Sequence, residues 1–314
     1  MNPFLVSGLV WGLGVAAAAA EAGSARYLDE TFDGHAIGAV PSAPALRRVD
    51  QVTVAESGGR LGAGRVAHYR DATESGGALE YNVGMRGLSG LYITFDLLNH
   101  APGDAVGSSP IIFSVGPWTP SGGLQLNAKA KRAFGLEFYQ TGIARTLAVR
   151  VGSSAVLRGR YDLGQPQRVR IWVNDHDEHT LTYRRPDTGE SARLNPDSFV
   201  VWLNDGLLDG EPLFGFPMQR SVTAGTGGLG RIGFNSTSAG RADFLIDNLV
   251  VEDPTGESAP VPPGQVLPSV AGEVTPTRLP GAETLAYREG SDAMNLFVFK
   301  PDGWTPSDRR PALV

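Results

Sequence analysis

The sequence predicts an all-β fold, a two-sheet antiparallel β-sandwich of the jelly-roll kind, and three observations predict it. Short runs of alternating or wholly apolar residues recur from residue 27 to residue 253. Gly, Pro, Asn and Asp bound these runs, in a chain with 41 Gly and 22 Pro. No long window in the same span carries the apolar stripe of a helix.

The elements follow in order. Residues 1–22 read as a signal peptide, with an uncleaved anchor and then a buried helix as the alternatives: Phe4 to Ala20 is apolar, and Ala18-Ala19-Ala20 and Ala20-Glu21-Ala22 are small-x-small cleavage patterns. Met1-Asn2-Pro3 carries no Lys or Arg, which is atypical of such a leader. The expected location is therefore secreted or periplasmic. Strands are predicted over residues 65–70, 90–97, 111–115, 134–139 and 146–151, then 168–174, 179–184, 199–203, 230–234 and 244–251. About a dozen strands suit two packed antiparallel sheets, with a closed barrel as the alternative. A parallel α/β domain is excluded there, because the crossover helices it needs are missing.

The composition then changes. Residues 254–280 contain Pro254, Pro260, Pro262, Pro263, Pro268, Pro276 and Pro280, and read as a semi-rigid linker. Strand-like runs return at Thr284-Leu285-Ala286-Tyr287-Arg288 and Met294-Asn295-Leu296-Phe297-Val298-Phe299. So few strands cannot bury a core alone, so residues 281–314 read as the incomplete start of a further domain.

Charge and cysteine usage exclude several functions. Net charge is −6 and the pI is near 5.4, without the basic stripe a nucleic-acid binder needs. There is no Cys, which removes thiolate metal sites, redox motifs and a Cys nucleophile. His176 and His179 bracket Asp177-Glu178, which reads as a polar hairpin tip rather than a metal site. No Gly-x-Ser-x-Gly is present to suggest a Ser-His-Asp triad.

Sugar binding needs aromatic faces flanked by hydrogen-bonding side chains. The candidates are Trp118 in Gly116-Pro117-Trp118-Thr119-Pro120, with Tyr139, Trp172, Asn174 and Tyr183. Trp118 sits on a loop and is the best exposed ring. Trp172 reads as core or platform, and Trp202 as core. Asn235-Ser236-Thr237 matches a glycosylation sequon by chance.

Two short motifs carry a family resemblance. Leu28-Asp29-Glu30-Thr31-Phe32-Asp33-Gly34 looks like the opening strand of laminarinase-type β-glucanases, and Ile246-Asp247-Asn248-Leu249-Val250-Val251 looks like their closing strand. On these motifs the sandwich resembles the concanavalin-like lectin and glucanase jelly rolls. The resemblance implies a structural Ca²⁺ held by Glu30, the carbonyl of Gly34 and Asp247. It implies no catalysis here, because the Glu-x-Asp-x-x-Glu strand that sets a glycosidase pair about 5 Å apart is missing, and Glu80, Asp96, Glu137 and Asp243 stand isolated in sequence. No catalytic residue is expected. The expected partner is a glycan or polysaccharide, and the alternative is a structural or interaction spacer that binds none.

Residues 281–314 resemble the start of an α/β-hydrolase esterase of the acetylxylan-esterase or lipase-like kind. Ala286-Tyr287-Arg288, Met294 to Trp304, and Arg310-Pro311-Ala312-Leu313-Val314 carry that likeness. It implies a hydrolase domain as the sandwich's covalent partner, with its nucleophile elbow beyond this sequence.

Overall fold

In the computed structural model, the described residues are 25–254, less the short stretches 73–75, 85–86, 101–109, 120–125, 127, 140–145, 163, 209–212, 220–227 and 237–241, together with the strands of a hairpin near the C-terminus. The expected signal peptide, linker and final residues lie outside them. The chain divides into two units, Met1–Val261 and Pro262–Val314.

In chain order the first unit's strands begin with β1 (Arg26–Glu30), β2 (Leu46–Asp50), β3 (Val52–Glu56), β4 (Arg65–Asp71), β5 (Ala78–Asn82) and β6 (Gly90–Asn99). Then come β7 (Ile111–Pro117), β8 (Phe134–Phe138), β9 (Thr146–Val151), β10 (Ser154–Arg160), β11 (Gln167–Asn174) and β12 (Leu181–Arg184). The last are β13 (Ser191–Leu194), β14 (Ser198–Leu203), β15 (Gly206–Leu207), β16 (Phe216–Pro217), β17 (Leu229–Asn235) and β18 (Ala242–Glu252). Among the described residues the only helical element is a 3₁₀ turn at Lys129–Lys131.

These strands form two antiparallel sheets. One runs β15-β14-β11-β6-β18-β4-β3, with β1 added against β18 and β16 against β14. The other runs β10-β9-β8-β7-β17-β5-β2. The two ends of the sandwich are neighbours, since Glu30 of β1 lies opposite Leu249 of β18. The sequence reading of a two-sheet sandwich therefore holds, and all ten expected strands are present.

Alternation on β6 shows why the sheets pack. Leu91, Ile93, Phe95 and Leu97 point into the core, while Tyr92, Thr94 and Asp96 point away. Phe95 meets Phe113 of β7 at 4.7 Å and Phe234 of β17 at 5.0 Å, so one aromatic group ties the sheets together. Phe134 of β8 stacks on Phe199 of β14 at 3.9 Å and does the same further along. Each such pair contributes about 0.5–1.5 kcal/mol beyond its buried area.

A second, smaller core lies on the outward side of the nine-stranded sheet, where the β12–β13 hairpin packs. Trp172, Leu181, Tyr183, Leu194, Val200 and Trp202 form it. On β14, Phe199 and Val201 serve the main core while Val200 and Trp202 serve this one. A strand buried on both faces has an unbroken apolar run, which is what Phe199 to Leu203 shows in sequence.

The described part of the second unit is an antiparallel hairpin, β19 (Glu283–Glu289) and β20 (Asp292–Val298), with Glu283 opposite Val298. This matches the two strand-like runs. The remaining residues of the hydrolase resemblance, 299–314, lie outside the described residues.

Candidate functional site

The outward face of the seven-stranded sheet is a polar floor. Its central row runs Glu80, Gly233, Ser114, Gly135 and Arg150 across β5, β17, β7, β8 and β9. A parallel row holds Asn235, Ile112 and Glu137, and another pairs Asn82 with Arg231. The residues between them in sequence, among them Leu79, Phe113, Leu136 and Phe234, face the core. Alternation alone thus places the polar residues on one surface.

Two charge clusters stand on this floor. Glu80 accepts from Arg231 Nη2 at 2.8 Å and from the backbone N–H of Leu126 at 3.2 Å, and Arg48 Nη1 lies at 3.9 Å. Glu137 accepts from Arg132 Nη2 at 3.2 Å, from the Tyr139 hydroxyl at 2.8 Å, and from Arg150 Nε. Burial pulls the Arg132 guanidinium below its ordinary value, and Glu137 offsets part of that. Burial also raises the Tyr139 hydroxyl, while the hydrogen bond from Arg150 opposes the shift.

The floor is under-satisfied. Ser114 Oγ, Arg132 Nε and Nη1, and both amide atoms of Asn235 are buried without a hydrogen-bond partner. Such groups cost about 1–3 kcal/mol each unless something pairs with them. The floor is also roofed in part: Leu126 packs where a side chain on Gly116 would stand, 2.7 Å away.

The structure separates the expected sugar-binding residues. Tyr139 belongs to the Glu137 cluster. Trp118 follows β7, is half-buried, lies over Gly230, and donates Nε1–H to the carbonyl of Gly84 at 3.3 Å. Trp172, Asn174 and Tyr183 are corrections. Trp172 is 6% exposed and stacked on Tyr92 at 4.6 Å, and Tyr183 is 1% exposed. Neither ring offers a face to a sugar, because Tyr183 of β12 packs down onto Trp172 at 5.1 Å and the hairpin covers Trp172. Asn174 is fully buried, and its Nδ2 donates to the carbonyls of His179, Leu194 and Asn195. Trp202 is core, as expected, and Asn235 of the sequon is fully buried.

The expected calcium ligands do not converge. Glu30 pairs with Leu249 on the core side, whereas Asp247 pairs with Asp96 on the outward side. Glu30 Oε1 accepts from the Phe32 N–H at 3.0 Å and lies 3.4 Å from His35 Nε2. Gly34, the third expected ligand, is exposed in the turn that follows β1. The Asp247 carboxyl is pushed up to about 7 by burial, and the charges of Asp33 and Asp96 add to the rise against the Asn248 N–H.

Sequence reasoning missed the floor because its members come from five strands. Glu80 and Glu137 are isolated in sequence, yet each finds arginines in space. Their strands are three steps apart, about 14 Å by strand spacing, beyond the roughly 5–9.5 Å of a glycosidase pair.

Comparisons with known proteins give similarity of shape only. Neither a protein-family model nor a curated protein matches the sequence. Among solved structures, the Emp47p carbohydrate recognition domain is 12% identical, covering 72% of this chain and 94% of that one, with a TM-score of 0.42. The glycoside hydrolase family 131 catalytic domain from Coprinopsis cinerea is 9% identical, covering 76% and 99%, with a TM-score of 0.41. Domain 4 of AbnA, a GH43 extracellular arabinanase from Geobacillus stearothermophilus solved with arabinotriose, is 12% identical, covering 77% and 97%, with a TM-score of 0.39. At such low identity and TM-score, none of them carries an argument about this chain's site.

Proposed function

We propose that the first unit is a non-catalytic carbohydrate-binding module that takes its ligand on the outward face of the seven-stranded sheet. The observation that carries this is the set of buried, unpartnered polar atoms on the floor, at Ser114, Arg132 and Asn235. Sugar hydroxyls both donate and accept, and suit such mixed groups. Tyr139 and Trp118 supply ring surface at the edges. Arg48, Arg132, Arg150 and Arg231 outnumber Glu80 and Glu137 there, which favours a glycan bearing carboxylates.

One observation favours the spacer reading instead: Glu80, Ser114, Arg132 and Asn235 are all fully buried, as in a closed polar layer. Affinity electrophoresis of the full chain through gels holding neutral or uronate-containing polysaccharides separates the two. Retardation by a glycan, relieved in Tyr139→Phe and Trp118→Ala, supports binding. No retardation in any gel supports the spacer.

Two further parts of this reading remain proposals. A structural calcium at the terminal strands would use Asp247 and not Glu30, which faces the other way. Export rests on the apolar run Phe4 to Ala20 and its small-x-small patterns, and a hydrolase beginning at residues 281–314 rests on the sequence resemblance, which a Gly-x-Ser-x-Gly downstream in the gene tests.

A further inference from the structure

We propose that His68, His100 and Asp243 form a binding site for a divalent transition-metal ion of the zinc type. The three residues lie on neighbouring strands of the nine-stranded sheet: His68 on β4, Asp243 on β18, and His100 directly after β6. None belongs to the polar floor of the other sheet.

The geometry is close to that of a coordination sphere. One ligand atom from each residue lies within 4.8 Å of the others, and this is the only such group of three among the described residues. His68 Nε2 stands 2.8 Å from Asp243 Oδ1. The two imidazoles meet edge to face with centroids 5.2 Å apart. Zinc bonds of about 2.0–2.2 Å in tetrahedral array set neighbouring ligands about 3.3 Å apart. His68 and Asp243 therefore need to open by only about 0.5 Å to admit an ion.

The backbone holds the ligands. Asp243 and His100 are tied by the N–H of His100 donating to the Asp243 carbonyl at 2.9 Å. His68 lies opposite Leu245 in the β4–β18 ladder. Leu61, Val66, Leu98 and Leu245 form a small apolar cluster on this side of the sheet. An apolar shell beside a metal limits competing water and strengthens its bonds. Two imidazoles and one carboxylate are the donor set of open sites, with a position left for water or substrate.

A cation already stands at this site. The guanidinium of Arg60 donates to His100 Nδ1. Arg60 is exposed, in a loop where Gly58, Gly59, Gly62 and Gly64 all take positive φ. A long side chain on such a loop can withdraw, so Arg60 acts as a competitor whose loss tightens binding.

The test is titration of the full chain with Zn²⁺ in a non-chelating buffer, followed by calorimetry and by the absorption of bound Co²⁺. One ion per chain is expected, with Co²⁺ showing the intense visible bands of a low-coordinate site. His68→Ala and Asp243→Asn should abolish binding while retaining the native far-ultraviolet dichroism, and Arg60→Ala should tighten it. His176→Ala should leave it unchanged, although His176 and His179 form the other close imidazole pair, at 5.5 Å. Absence of Zn²⁺ binding overturns the proposal. So does binding that survives His68→Ala and Asp243→Asn, or that disappears in His176→Ala. If His68→Ala fails to fold, an unperturbed Co²⁺ spectrum in Asp243→Asn overturns it by itself.

Discussion

Glu80 of β5 and Arg231 of β17 meet diagonally across the two strands at 2.8 Å, with exposures of 0% and 1%. Both charges have left water, so each depends on the other for compensation. Removing one takes a close, fully buried source of compensation from its partner. Glu80→Leu and Arg231→Met are each expected to cost about 3–5 kcal/mol. The double change Glu80→Leu with Arg231→Met should recover much of that loss. Urea unfolding of the four proteins checks the pattern, and additive losses would contradict it.

Asn174 makes a second prediction. Its amide nitrogen bonds three backbone carbonyls and its Oδ1 accepts from the N–H of His176. These bonds anchor both ends of the β12–β13 hairpin to β11. Asn174→Ala should cost about 3 kcal/mol, at roughly 1 kcal/mol for each of its two N–H groups and its oxygen. Asn174→Asp should cost more, because a carboxylate would confront three carbonyl oxygens. Hydrogen exchange should speed first in residues 181–194, and uniform acceleration over the sandwich would contradict this local role.

Two glycines of the floor should respond differently to alanine. A Cβ on Gly233 would lie 2.5 Å from the Leu79 carbonyl oxygen and 2.7 Å from Glu80 Cα, both backbone atoms that cannot yield cheaply. On Gly135 it would meet only the end of the Arg132 side chain, at 3.0 Å. Gly233→Ala is expected to cost about 1–3 kcal/mol, the range for overpacking, and Gly135→Ala less. Thermal melting of both variants checks the order.

The sandwich was legible because period-two alternation is local, and β6 and β11 show it within one strand. The site was not, because Glu80, Ser114, Arg132, Glu137 and Asn235 become neighbours only through register between strands. Trp172 shows the same limit from the other side. Its polar flanks, Arg170 and Asn174, read as a platform, and only the hairpin of β12 and β13 makes it core. His68, His100 and Asp243 are separated by 32 and 143 positions in sequence, so no spacing rule could join them.

Asp247 supports a pH prediction whose sign can be worked out. Its cross-strand neighbour is Asp96, and burial raises its folded value from the ordinary 3.8 to about 7. The native state therefore holds this proton more tightly than the unfolded chain does. Stability from this group falls as pH rises from about 4 to about 7, since the unfolded state ionises first. Asp247→Asn keeps an oxygen for the Asn248 N–H and removes the charge. Its melting temperature should match the native chain near pH 4 and exceed it by a growing margin up to about pH 7, then by a constant one. Calcium sharpens the test at pH 7.5. A cation that bonds the ionised carboxyl would raise the native midpoint and leave Asp247→Asn unmoved. A variant whose advantage does not depend on pH would mean that the Asp247 carboxyl ionises alike in both states, against the effect of burial beside Asp96.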